Sequence, residues 1–319
     1  WELVMKLKHA IFILLVNAVA LGSATAEQYL RIGTGGTAGT YYPIGVLIAS
    51  VVSQPGKIIA TAQASNGSLG NVIGVSSGSL ESGFSQADVA TWAYKGTGIF
   101  EGKPAMPSLR LIASLYPESI HIVVSKGSDI KTVADLKGRR VALDEAGSGT
   151  LISARQVLAA YGLSESDIRP EYIKPNQAGD KLKSGALDAF FFTGGAPAKA
   201  IAELAANGSG IDLLPIDGVQ AERLLAANPF LYTDTIAADT YRGVAAVKTL
   251  AVGAQWVTSD RMDAELVYQI TKTLFSDTAQ KALSNGHAKG KFITVQMPFR
   301  VRESPFIPAP GAISWKSES

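Results

Sequence analysis

Tyr29-Leu-Arg-Ile-Gly-Thr-Gly-Gly-Thr-Ala-Gly-Thr-Tyr-Tyr-Pro-Ile-Gly-Val-Leu-Ile-Ala-Ser50 reads as a strand, a glycine loop and a helix in succession. The alternation of Leu30 and Ile32 suits a short buried strand. Gly33, Gly35, Gly36 and Gly39 free the backbone for a sharp turn whose amides approach a ligand closely. Pro43 fits the first turn of the helix that follows. Such a helix aims its unsatisfied N–H groups and the positive end of its dipole over the loop, which favours a carboxylate or a phosphate. The loop is therefore a candidate anion site, with a tight turn that binds nothing as the plainer alternative.

Two familiar loops compete with this reading. Gly33-x-Gly35-x-x-Ala38 matches the dinucleotide fingerprint in form, but no Asp or Glu occurs between Glu27 and Glu81 to hold a ribose hydroxyl about 20 residues on. A Walker-type phosphate loop needs Gly-Lys-Ser/Thr, whereas Gly56-Lys57, Gly102-Lys103 and Gly290-Lys291 are followed by Ile, Pro and Phe. No cofactor is expected.

Upstream, Lys6 and Lys8 precede an apolar run from Ala10 to Leu21, and Ala24-Thr25-Ala26 gives a small-x-small cleavage pattern. This reads as a secretory signal peptide over residues 1–26, with the mature chain starting near Glu27. The run is shorter than the roughly 20 residues that span a bilayer. There is no cysteine, hence no disulfide and no lipid-modified N-terminal cysteine, so a soluble periplasmic protein is expected. A length of 319 residues suits two lobes better than one. A formal net charge of +2 without a basic block argues against nucleic acid and against a polybasic membrane contact.

Short apolar runs alternate with helical patterns downstream, the signature of an α/β fold. Strands are expected at 57–64, 109–115, 121–125, 139–144 and 246–258, a strand running into a helix over 83–90, a buried strand ending in a glycine turn over 185–195, a segment that closes the second lobe at 211–216, and final helices at 261–275 and 278–283. Pro117 is expected to end its strand, since proline cannot serve a central ladder, and the chain to change lobes there. A second glycine loop, Ala146-Gly-Ser-Gly-Thr150, follows an apolar strand and precedes a helical pattern, repeating the opening arrangement.

The opening Gly-Thr-Gly-Gly-Thr-Ala-Gly-Thr-Tyr-Tyr-Pro over 33–43, Asp135-Leu-Lys-Gly-Arg-Arg-Val-Ala-Leu143 with Gly147-Ser-Gly-Thr150, and Asp188-Ala-Phe-Phe-Phe-Thr-Gly194 resemble the TAXI family of solute-binding proteins, which serve TRAP transporters. The resemblance spans essentially the whole mature chain. It implies a two-lobed periplasmic-binding-protein-like α/β architecture with a hinge and two chain crossings, no catalysis, and delivery of a small ligand to TRAP-type membrane permease subunits. One departure is that Ala309 precedes Pro310-Gly311-Ala312, where the family often has histidine. The lobes are expected at 27–117 plus 220–319 and at 118–219, in a monomer.

Binding then rests on neutral donors and loop amides: Gly36, Thr37, Gly39, Thr40, Asn66, Ser68, Gln86, Ser148, Gly149 and Thr150. Tyr42, Tyr116 and Phe192 are candidate walls, each equally suited to the core, and Trp92 is a weaker one. Asp88 either receives a ligand amine or caps a helix, with capping the plainer choice. The favoured ligand is a small carboxylate, a dicarboxylate or glutamate-like amino acid. A competing class is an exported hydrolase, because Gly74-Val-Ser-Ser-Gly78 matches a nucleophile elbow around Ser76; its context lacks a buried strand, and past residue 26 only His121 and His287 could act as base. A sensory lobe of a two-component system is the milder rival. Two histidines past residue 26 and no cysteine make a nitrogen or sulfur metal site unfavoured.

Overall fold

The computed structural model describes residues 27–207 and 210–295. The signal-peptide segment and the tail around Ala309 lie outside the described residues. The opening stretch folds as β1 (Gln28–Gly33), loop and α1 (Tyr41–Val52), with Pro43 in the first turn as its fixed φ requires. β2 (Ile58–Gln63), α2 (Ser68–Ser77), β3 (Ser82–Gln86) and α3 (Ala87–Lys95) follow. Next come the long strand β4 (Leu109–Ser125), β5 (Arg140–Ala142), α4 (Gly149–Ala160), β6 (Arg169–Glu171) and α5 (Pro175–Lys183). β7 (Ala189–Gly194), α6 (Lys199–Asn207), β8 (Ile211–Leu213), α7 (Gly218–Ala227) and β9 (Tyr232–Ile236) precede the second long strand, β10 (Val247–Ser259). α8 (Ala264–Leu274) and α9 (Asp277–Gly286) close the described chain.

The strands join in the order β2-β1-β3-β10-β4-β7-β5-β6, with β8 beside β4 and β9 beside β10. Parallel βαβ units lie at both ends, and the antiparallel pair β4 and β10 runs between them. That pair gives the two-lobed architecture its hinge and its two crossings. Two sets of cores follow. Leu30, Ile32, Ile44, Phe84 and Trp256 pack in the proximal lobe, while Ile120, Ile122, Val141, Leu143 and Phe191 pack in the distal one. The Phe triplet divides as strand alternation demands: Phe191 joins that distal cluster, and Phe190 and Phe192 turn to the other face of the sheet.

β4 does not break at Pro117. It continues for 17 residues, and the reason lies in its neighbours. Pairing with β7 begins only at Ser119, opposite Gly194, so Pro117 faces no ladder on that side. On the other side Pro117 is opposite Gly253, next to a register irregularity between Gly253 and Gln255. An unpaired side and a bulge are the places where a strand tolerates proline. Helix α5, strands β6 and β9 and helix α7 stand beyond the elements that the sequence pattern marks; β6 and β9 are short strands of 3 and 5 residues without strong alternation.

Candidate functional site

A cleft of about 580 Å³, its open mouth included, lies between the lobes and receives the starts of five helices. The residues flanking those starts, Thr40 of α1, Gly67 of α2, Gln86 of α3, Ser148 of α4 and Lys174 of α5, all line it. The first-turn amides of a helix have no acceptor inside that helix. Each start therefore turns partial positive charge toward one space, although the Leu69 and Gly70 amides of α2, the Val89 amide of α3 and the Leu151 amide of α4 already have acceptors and Pro175 of α5 has no N–H to give.

Ten of the thirteen sequence candidates line this cleft: Gly36, Gly39, Thr40, Asn66, Ser68, Gln86, Ser148, Gly149, Thr150 and Phe192. Thr37, Tyr42 and Tyr116 do not. Thr37 is exposed on the loop. Tyr116 is fully buried in the proximal core, where Leu115 and Trp256 also lie. Of the Tyr41-Tyr42 pair it is Tyr41 that lines the cleft, because successive helical residues point about 100° apart and Tyr41 takes the inward position. Its ring packs edge-on against Phe84 at 5.6 Å, and Phe84 in turn against Trp256 at 6.4 Å. The core thus fixes where the Tyr41 hydroxyl lands.

The opening glycines act through close approach more than through unusual backbone angles. Asn71 of α2 donates from Nδ2 to the carbonyls of Gly33, Thr34 and Phe84 at 3.1, 2.7 and 2.7 Å, and accepts from Ser65 Oγ at 2.7 Å. A Cβ on Gly33 would sit 2.5 Å from Asn71 Oδ1, so glycine is what admits this clamp. Across the cleft, a Cβ on Gly149 would stand 1.7 Å from Gln86 Oε1 and 2.6 Å from Ser68 Oγ.

The lobes meet directly around the cleft. Leu69 and Gly70, in the first turn of α2, donate their amides to the Gly147 carbonyl at 3.0 and 3.2 Å. Thr40 Oγ1 donates to the Gly195 carbonyl at 2.7 Å, Gln86 Nε2 to Ser153 Oγ at 3.0 Å, and Asn66 Nδ2 to the Ala146 carbonyl at 3.2 Å. At the other glycine loop, Ser148 Oγ accepts the Leu151 amide at 3.1 Å and caps α4, while Thr150 Oγ1 accepts the Thr193 amide at 3.1 Å.

Residues missed from the sequence add charge. Glu118 on β4 and Asp144 after β5 line the cleft, as do Glu145, Lys174 and Thr193. Burial pushes the Glu118 carboxyl well above its ordinary range, although the Tyr41 hydroxyl, donating at 2.8 Å, favours the charged form. Burial likewise raises Asp144 to about 6, against the Glu145 amide and the Thr150 hydroxyl. Lys174 pairs with Glu145 at 3.3 Å. The Lys174-Pro175 helix start was a signal in the sequence, since proline favours the first helical position.

Other candidates fall elsewhere. Ser76 lies inside α2 with no strand-to-helix elbow around it. His121 is buried in the distal lobe. Its Nδ1 faces the carbonyls of Ser119 and Phe192 at 2.9 and 3.1 Å and must carry the proton, which leaves Nε2 to accept from the Tyr241 hydroxyl at 2.9 Å. Burial lowers its pKa to about 4. Asp88 accepts the Val89 amide at 2.8 Å inside α3 rather than capping it, since the cap position is Gln86. Trp92 packs against Phe230 at 6.1 Å. Among the described residues no group of three or more His, Cys, Asp or Glu is arranged to hold a metal ion, and no helix is long and apolar enough to cross a membrane.

A profile of the NMT1-like family matches residues 32–316, which takes in both glycine loops and both hinge strands. The chain belongs to the NMT1-like family. The TAXI placement and its TRAP permease are narrower than this match. A putative aliphatic sulfonates-binding protein of Escherichia coli (strain K12) is 39% identical over 74 residues, 23% of this chain and 23% of that protein. The similarity therefore spans under a quarter of that relative's length. Among solved structures, the alkanesulfonate-binding protein SsuA from Xanthomonas axonopodis pv. citri, bound to MOPS, superposes with a TM-score of 0.53 at 22% identity, covering 83% of this chain and 78% of its own. PhnD1 from Prochlorococcus marinus (MIT 9301), in complex with methylphosphonate, gives 0.52 at 12% identity, covering 80% and 89%. At such identities these two structures share the fold.

Proposed function

We propose that this NMT1-like chain is an exported solute-binding protein that captures a small organic oxyanion and hands it to a membrane transporter. The observation that carries this is the convergence of five helix starts, two from the distal lobe and three from the proximal one, on a single cleft at the hinge. Amides at helix starts bind an oxyanion without the desolvation cost of burying a cationic side chain. A sulfonate or phosphonate is the first class, supported by the relatives named for such ligands. A dicarboxylate or glutamate-like carboxylate is the second, since the same donors suit it. Thr40, Ser68, Gln86, Gly149, Thr150 and Phe192 are the proposed contacts, with Tyr41 in place of Tyr42.

The lobe division is proposed with its first boundary inside β4 near residue 117. The second belongs in β10 and not at residue 220, because Ala221, Leu231, Ile236 and Tyr241 pack with the distal cores. For the transporter, the sequence motifs favour the TRAP type; uptake into vesicles driven by an ion gradient alone, against ATP alone, separates the two kinds.

The ligand class is tested by thermal shift of the purified protein against alkanesulfonates, alkylphosphonates, dicarboxylates, amino acids and sugars. A ligand at 100 times its dissociation constant adds about 2.7 kcal/mol of stability if it binds only the folded form. A rise with an oxyanion is expected. A shift confined to neutral sugars would overturn the reading.

A further inference from the structure

We propose that Asp88 and Ile152, which lie outside the cleft, set how tightly it binds, because the seam between α3 and α4 forms only when the lobes close and resists closing through unpaired acceptors. The inference goes beyond the oxyanion reading and holds for whatever solute the cleft takes. α3 belongs to the proximal lobe and α4 to the distal one. None of Asp88, Trp92, Ile152, Gln156 and Phe230 lines the cleft.

Apolar side chains cross this seam in both directions. Ile152 of α4 packs in the proximal cluster that holds Val72, Val75 and Val89, while Ala87 of α3 packs in the distal cluster that holds Leu151 and Ala154. Trp92 of α3 meets Phe230 edge-on at 6.1 Å, and Phe230 packs against the distal cluster. Burying these surfaces together favours the closed form.

Polar groups at the same seam oppose it. Gln86 Nε2 donates to Ser153 Oγ at 3.0 Å, but Gln86 Oε1 is sealed under Gly149, whose added Cβ would stand 1.7 Å away, and has no partner among the described residues. Asp88 is fully buried, with the Gln156 side chain facing it from α4. Its Oδ1 accepts the Val89 amide at 2.8 Å, yet Asp88 Oδ2 and Gln156 Oε1 both lack a partner among the described residues. Burial lifts the Asp88 carboxyl to about 6, and Glu118 is a second acid in its field. Water serves these three acceptors while the lobes are apart, and closing strips it away without supplying donors. One orphaned acceptor shifts an equilibrium by about 5- to 150-fold. While the closed form is the minor one, each such factor passes directly into the apparent affinity.

The test combines small-angle scattering with calorimetric titration of the full chain, using ethanesulfonate, methylphosphonate and propionate as probes. The ligand-free parent should be more expanded than the closed form. Asp88→Asn removes the charge and puts an N–H where Oδ2 stands, opposite Gln156. It should shrink the ligand-free radius of gyration and tighten whichever probe binds by about 5- to 150-fold. Ile152→Ala takes apolar contact from the closed form, so it should leave the ligand-free protein expanded and weaken binding about 10-fold or more. Circular dichroism checks that each variant keeps the parent fold. A purely structural role would lower stability in both variants without moving affinity in opposite directions. A ligand-free parent already as compact as the closed form would overturn the proposal with no variant needed. Tighter binding by Ile152→Ala, or an Asp88→Asn protein with the parent's radius and affinity, would also overturn it. The scattering arm uses no ligand, so it decides even where all three probes fail to bind, an outcome that counts against the oxyanion reading alone.

Discussion

The two glycine loops, 33–40 and 144–150, look alike in sequence and enter helices in the same way, yet they use their polar groups in opposite fashions. In the first loop Thr40 Oγ1 reaches across to the Gly195 carbonyl at 2.7 Å and gives its own helix no cap. In the second, Ser148 caps α4 and Thr150 receives the Thr193 amide, both within the distal lobe. The first loop is held from behind by Asn71 and has no ionisable residue. The second contains Asp144, held at a positive φ of 70°, and Glu145. Similar strand-loop-helix patterns therefore assign their hydroxyls to different jobs: Thr40 of the first loop links the lobes, while Ser148 and Thr150 of the second stiffen their own lobe, and the second loop meets the proximal lobe through its Ala146 and Gly147 carbonyls instead and brings carboxyl groups to the cleft.

The contrast is broken most severely at Asn71. Asn71→Ala strips one donor group from three backbone carbonyls, two of them in or beside the first loop, and should cost about 3–5 kcal/mol. Urea denaturation measures it. A loss under 1 kcal/mol would mean that the first loop holds its shape unaided.

A second prediction uses pH, because only the second loop titrates. The Asp144 carboxyl is raised by burial from 3.8 to about 6. A raised folded pKa means stability that is full below about pH 4 and is lost as pH rises through about 6. By linkage this amounts to about 3 kcal/mol. Asp144→Asn should thus be increasingly stabilising relative to wild type between pH 4 and 7, in denaturation series at matched ionic strength. A constant difference across that window would show that Asp144 is not desolvated. His121 works in the opposite direction, its pKa being depressed to about 4, which is why the comparison is made between variant and parent.

Gly149→Ala should act on lobe closure. Its added methyl meets Gln86 Oε1 and Ser68 Oγ only when the lobes are together. Overpacking of about 1–3 kcal/mol would lower ligand affinity about 5- to 150-fold. Small-angle scattering at ligand saturation should show a larger radius of gyration than for the parent. Unchanged affinity would mean that the lobes close without this contact. The smallest effect separates the two loops directly: Ser148→Ala should lower the melting stability by about 1 kcal/mol as a lost cap and leave lobe closure unchanged, whereas Thr40→Ala removes the donor to the Gly195 carbonyl and should loosen the contact between the lobes. A Thr40→Ala protein whose radius of gyration at ligand saturation matches the parent would erase the distinction between the loops.

Much of the site was legible in the sequence because helix starts declare themselves locally. Gly33 to Pro43, Asn66 to Ser68 and Ser148 to Thr150 carry residues whose φ freedom, side-chain length and missing N–H act within a few positions of themselves. Those signals located most of the cleft and the α/β order of the chain. Glu118 carried no such signal. It lies in a strand after Tyr116-Pro117, a spot where the sequence alone indicates a break, and nothing nearby in the chain marks it as facing a ligand.

What the sequence determined by itself were the properties set by near neighbours: alternation, loop chemistry and helix starts. Tertiary structure alone decided the rest. Pro117 is tolerated because β7 begins only at Ser119 and because β10 is irregular opposite it, both consequences of strands distant in the chain. Tyr41 was chosen over Tyr42 by the aromatic stack through Phe84 to Trp256, more than 200 positions away. The carboxyl groups of Glu118 and Asp144 owe their raised pKa values to burial, a quantity that exists only once the two lobes are packed around them.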